Sequence, residues 1–141
     1  MAGYCMQEHE FWLGKAASDL KSAKTLSNDE DTADNAIYHT QQCAEKALKG
    51  YLVFKKQPIL KTHDLELLLK LCINFDNEFF ALREEAAFLK PYGIIFRYPD
   101  SRFFPKQQEV FDAIKKAKKV FNFVKDKIGY QGEINLRIFQ N

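Results

Sequence analysis

The chain has 141 residues, 46% of them hydrophobic, with 13 Phe and a net charge of +2 from 21 Lys and Arg against 19 Asp and Glu. That length fits one domain able to bury a core without staples, and the charge balance excludes a global field for nucleic acid, so any basic site has to be local. Cys5, Cys43 and Cys72 exclude a disulfide framework or a C-x-x-C zinc pair, and with no leader-like start and no apolar run of roughly 18 residues the chain reads as a cytoplasmic protein outside the membrane.

Trp12, Ala16, Leu20 and Ala23 recur at helical spacing and predict a first helix from about Glu8 to Leu26, with Lys15, Asp19 and Lys24 on the wet side. The polar string SNDEDTADN suits a turn ending in a cap. A second and longest helix then starts near Thr32 or Ala33 and carries Ile37, Gln41, Ala44, Leu48 and Leu52 in register to Lys55 or Lys56, where Gln57-Pro58 stops it. Thr62 is placed to cap a third helix with Leu65, Leu68, Cys72 and Phe75 inward, ending at Asp76-Asn77.

A fourth helix is predicted from about Glu78 to Lys90, with Phe79, Leu82, Ala86 and Leu89 inward, until Pro91 kinks or restarts it. Pro99 disfavours α geometry at Tyr98, which puts Arg97 at the end of a helical piece before a loop. The last helix begins near Pro105 and keeps Val110, Ile114, Ala117, Phe121, Val124 and Ile128 in register to Gly129. Together these elements predict an all-α, up-and-down antiparallel bundle of about five helices over residues 1–129. Residues 130–141, where Ile134, Leu136 and Ile138 alternate with polar residues, read as a short strand, an arm or a loose tail.

Three places can carry chemistry. His39, Gln42, Lys46 and Lys49 are spaced three, four and three, so they share one side of the second helix, either as a surface for phosphate or a partner helix or as a solvated face. Glu45 is placed to pair with Lys49 in the stabilising order. His63, at a helix start, is able to transfer protons near neutral pH, or to hydrogen-bond a capping carboxylate such as Asp64. The segment IFRYPDSRFFP sets Arg97 and Arg102 among aromatic rings, a mixture that grips phosphate and stacks on bases unless the rings fill core and Arg97 is ion-paired. The lysines from Lys115 to Lys127 form a basic run whose plainest reading is solvation. His9, His39 and His63 lack metal-ligand spacing, and no phosphate-binding glycine loop or nucleophile elbow is present, so neither a metal nor a cofactor is expected.

The runs AIYHTQQCAEKALK from Ala36 to Lys49, KTHDL from Lys61 to Leu65 and FRYPD from Phe96 to Asp100 together resemble the HEPN domain (higher eukaryotes and prokaryotes nucleotide-binding) over roughly Glu8 to Ile128. The resemblance implies a twofold homodimer with a cleft near the second helix's polar face, and activity beside a minimal nucleotidyltransferase as toxin and antitoxin or as a two-part enzyme. The family's ribonucleases resemble one another in an R-N-x-x-x-H motif. Arg97 matches the arginine, but Tyr98 replaces Asn and no histidine follows His63. Acid/base catalysis contributes about a hundredfold to ten-thousandfold, so its loss leaves weak cleavage at most.

The sequence therefore predicts a non-catalytic or weakly catalytic protein that binds nucleotide or RNA through Arg97, Tyr98, Lys46, Lys49, Gln42 and His39, as accessory or toxin-like partner of a nucleotidyltransferase. One alternative is a metal-independent endoribonuclease toxin using Arg97 and His63. Another is a dimeric interaction scaffold.

Overall fold

A computed structural model describes residues 5–95 and 104–129. Helix α1 spans Glu8–Leu26 and opens on a capping box, in which the Gln7 N–H donates to Glu10 Oε1 (3.1 Å) and the Gln7 side chain accepts in return from the backbone of the third helical residue. Thr32 Oγ donates to the Leu26 carbonyl (2.6 Å) and closes the turn into α2, Ala33–Phe54. The two helices are antiparallel, because Asp19 meets His39 and Lys46 while Gly50 lies against His9 and Trp12. Small residues make this approach possible: Ala16 and Ala23 of α1 and Ala36, Ala44 and Ala47 of α2 are all essentially inaccessible.

Helix α2 stops in a Schellman turn one or two residues before the predicted end at Lys55 or Lys56, with Lys56 N–H on the Val53 carbonyl and Gln57 N–H on the Leu52 carbonyl (both 2.9 Å). Lys56 takes the left-handed conformation that this turn needs (φ 63°). Residues 55–64 then carry the chain back along α2, so α3, Leu65–Ile73, runs beside it in the same direction. The cap of α3 is Asp64, not Thr62: the Asp64 carboxylate accepts from the Glu66 and Leu67 N–H groups, and Thr62 Oγ accepts from Asp64 N–H. Because α3 ends at Ile73, Phe75 leaves the inward register and is 45% exposed.

The predicted fourth helix is two pieces. Asp76 caps a 3₁₀ helix over Asn77–Leu82, which passes into α4, Arg83–Leu89. Phe79, Leu82, Ala86 and Leu89 are buried as the periodicity predicts. A further 3₁₀ turn, Lys90–Gly93, contains Pro91. Helix α5, Gln107–Ile128, closes the bundle and buries Val110, Ala113, Ala117, Val120, Phe121 and Val124, while Ile114 and Ile128 are only partly covered. Rings link three elements here, with Tyr51 to Phe79 at 4.4 Å and Phe79 to Phe123 at 4.9 Å between centroids.

The described residues form an all-α helical bundle with no strand. Cys43 and Cys72 are buried free thiols. No helix among the described residues is long and apolar enough to cross a membrane. The predicted tail, 130–141, lies outside the described residues.

Candidate functional site on helix α2

Helix α2 turns a row of polar side chains toward the interior, and the row is satisfied residue by residue. Glu45 is 4% exposed and accepts on both oxygens: Oε2 from Lys49 Nζ at 3.0 Å, and Oε1 from His63 Nδ1 at 2.9 Å. A carboxylate flanked by an ammonium is an acceptor, so His63 carries its proton on Nδ1, and 57% of its side chain is exposed. Gln41, wholly buried, donates to Glu45 Oε1 (3.3 Å) and to the His63 carbonyl (3.1 Å), and accepts from Gln42 Nε2 (2.7 Å). An unpaired charge at this depth would cost several kcal/mol, which is why every member is bonded.

The upper half of the same face is organised by α1. Asp19, expected in solvent, is 8% exposed and takes His39 Nδ1 on Oδ1 at 2.9 Å and Lys46 Nζ on Oδ2 at 2.6 Å. Helical spacing assigned it to the wet side, but it borders the Ala16, Leu20 and Ala23 stripe, and two cationic or polar partners from α2 stabilise it there. His39 and Lys46 keep 31% and 25% of their side chains open.

The four residues of the predicted stripe thus divide. Lys49 is enclosed, pairing with Glu45 and lying 5.9 Å from the Trp12 ring centroid, whereas His39, Gln42 and Lys46 form the accessible rim. His63 joins the row through Glu45 and not through Asp64. Gln41 and Asp19 are the members that sequence reasoning missed. The signal for Gln41 was a glutamine in an otherwise apolar register, since a buried amide requires partners.

Gly93 seals one end of the row. A Cβ there would lie 2.8 Å from Gln41 Cδ, so any larger residue at this turn has to push the hydrogen-bonded amide aside. Nearby, Tyr92 donates its hydroxyl to Glu109 of α5, and burial followed by that carboxylate pushes the phenol well above its ordinary range. Arg97 and Tyr98 lie outside the described residues, as does Arg102. Of the lysines on α5, Lys119 pairs with Glu85 (3.1 Å) and Lys127 with Asp76 and Glu78 (2.7 and 2.5 Å). Among the described residues no group of three His, Cys, Asp or Glu side chains is placed to hold a metal ion.

Comparison with known proteins places this architecture. No match was found among curated proteins. Two solved structures are similar over nearly their whole length. The crystal structure of TT1696 from Thermus thermophilus superposes with a TM-score of 0.72 at 28% identity, covering 86% of this chain and 99% of that one. That of ST0689, described as an archaeal HEPN homologue, gives 0.69 at 25% identity, covering 87% and 99%. The HEPN domain profile matches residues 9–127, which include the whole polar row. The chain belongs to the HEPN domain family.

Proposed function

We propose that the chain binds a nucleotide or RNA phosphate at the rim of the α2 polar row, as a non-catalytic or weakly catalytic HEPN protein. The observation that supports this reading is the row itself: Gln42, Lys46 and His39 are its partly exposed members, each anchored by a hydrogen bond to Gln41 or Asp19, and the Lys46 ammonium and Gln42 amide keep N–H groups that those bonds do not use. Donors held in place lose little freedom on meeting a ligand. In the sequence Arg97, whose planar fork suits phosphate, is followed by Tyr98, a ring able to stack on a base, and the family resemblance adds both to the proposal. Lys49 acts from beneath, as the charge that holds Glu45.

The family resemblance contributes the remaining elements of the proposal, a twofold homodimer and a minimal nucleotidyltransferase as protein partner. Isothermal titration of the full chain with ATP, other nucleotides and short single-stranded RNA tests the central one. Heat with at least one of these, reduced by Arg97→Ala, is the expected result, and no heat with any would refute it.

One observation favours ribonuclease activity as a second reading. The Glu45–His63 pair has the form of an oriented general base, with Nδ1 held by the carboxylate and more than half of the side chain exposed. Cleavage of single-stranded RNA that survives both Arg97→Ala and His63→Ala would remove these residues from any active site.

A further inference from the structure

Where α2 and α3 come to their ends, a strip of apolar surface faces solvent. Leu52 of α2, Pro58 and Leu60 of the 55–64 connection, and Leu71 and Phe75 at the end of α3 line an open groove there, with Gln57 as the polar side chain in the lining. Leu67, one turn before Leu71, continues the strip along α3 and is 43% exposed. Single exposed apolar residues are ordinary, but a contiguous strip of them marks a surface that something covers.

The chain itself supplies a segment that fits. Lys127, near the end of α5, pairs with Asp76, the residue after Phe75, so α5 delivers the chain to the Phe75 end of the strip. At Gly129 the backbone leaves the helix through a φ of 107°, and no atom stands within 4 Å of where a Cβ would lie. Beyond it Ile134, Leu136 and Ile138 alternate with Glu133, Asn135 and Arg137. An extended backbone gathers the three apolar side chains on one face and the polar ones on the other. The spacings also agree: side chains two apart on an extended chain are about 6.6 Å apart, and Leu67 and Leu71, four apart on a helix, are about 6 Å apart. Reach is ample, since the chain from Gly129 to Ile138 spans up to about 30 Å and α3 is about 14 Å long.

We infer that residues 134–138 dock in the groove of their own chain, running back along α3 with Ile134, Leu136 and Ile138 against Phe75, Leu71 and Leu67. Residues 130–133 bridge the way from Gly129 to Phe75. A tether this short holds the segment at an effective concentration on the order of millimolar, so a contact too weak to form between separate molecules in dilute solution still forms within one. That difference selects the chain's own segment over one from a second copy. The groove shares no residue with the α2 rim, and the inference stands whether or not the rim binds phosphate.

The test uses the full chain carrying Cys5→Ser and Arg137→Cys, which leaves one accessible thiol because Cys43 and Cys72 are buried. A nitroxide attached at position 137, on the polar side of the alternation, removes the amide NMR signals of residues that lie near it. The Leu67 and Leu71 amides lose their signals with the label oxidised and regain them when it is reduced. Adding Leu136→Asp, which puts a charge against the groove, restores both signals. Phe75→Gln, at a position 45% exposed and checked for folding by circular dichroism, weakens the loss at Leu71. Should that variant not fold, the Leu136→Asp comparison decides by itself. Leu67 and Leu71 signals that persist beside the oxidised label leave the groove to a foreign partner and overturn the inference. A loss that Leu136→Asp does not reverse comes from the tether alone and overturns it too. A loss seen when spin-labelled protein is mixed with an isotope-labelled copy lacking the nitroxide assigns the groove to a second chain, and likewise overturns it.

Discussion

Helices α1 and α2 each display lysines at helical spacing, and they use them in opposite ways. On α2, Lys49 is buried against Glu45 and serves the interior, while on α1 Lys15 stands in solvent beside two rings. The residue type and spacing are the same in both. What differs is the supply of carboxylates from other elements: Asp19 crosses from α1 to Lys46, and Glu45 is already on α2. A lysine stripe is therefore a binding surface only to the extent that the fold leaves its charges unanswered.

The largest expected effect breaks the buried half of this contrast. Removing the carboxylate with Glu45→Ala strands the Lys49 ammonium, and urea unfolding should show a loss of about 3–5 kcal/mol. The paired replacement Glu45→Leu with Lys49→Met should recover most of it, because buried ion pairs contribute little beyond apolar packing. A recovery that fails would mean that the row is held by its wider hydrogen bonds and not by the pair.

Next in size, Gly93→Ala forces a methyl group against Gln41 and should cost about 1–3 kcal/mol by denaturant melts. Combining it with Gln41→Ala should remove most of the penalty, which sharpens the claim that the turn before Arg97 is registered on the row.

The smallest effect concerns the inner face of α1. His9 is 8% exposed and packs edge-on against Phe54, so burial lowers its pKa, with Glu10 opposing and Lys56 reinforcing the shift. The unfolded chain then binds the proton more readily than the fold does. Stability should be fully present above the ordinary histidine value of about 6.5 and decline as the pH falls from there toward the lowered native value. His9→Gln should flatten that slope in thermal melts between pH 7 and 5, whereas Lys15→Ala on the outer face should leave it unchanged.

Much of the architecture was legible because apolar spacing and caps are local properties. Helix α2 falls within two residues of its predicted ends, and the inward sets of the α4 region and most of that of α5 match. The misjudged positions are those where another element decided the outcome. Asp19 is buried because α2 brings it two partners, Asp64 displaces Thr62 because its carboxylate reaches two N–H groups, and Phe75 is exposed because α3 ends early. In the candidate site the stripe was legible but its inward tilt was not. The division between enclosed Lys49 and open Lys46 depends on Glu45, Asp19 and Trp12 meeting in space.

The two interior cysteines turn the bundle into its own clock. Cys43 is wholly inaccessible, and Cys72 lies with Sγ 3.8 Å from the Leu48 carbonyl, between α3 and α2. Burial drives both thiols upward, Cys72 to about 12, so the reactive thiolate is scarce even where a reagent arrives. Alkylation of either requires the helices to part, and the rate at Cys72 at fixed reagent measures how often α3 lifts from α2. Cys5, exposed three residues ahead of α1, modifies at once and sets the zero of that time scale.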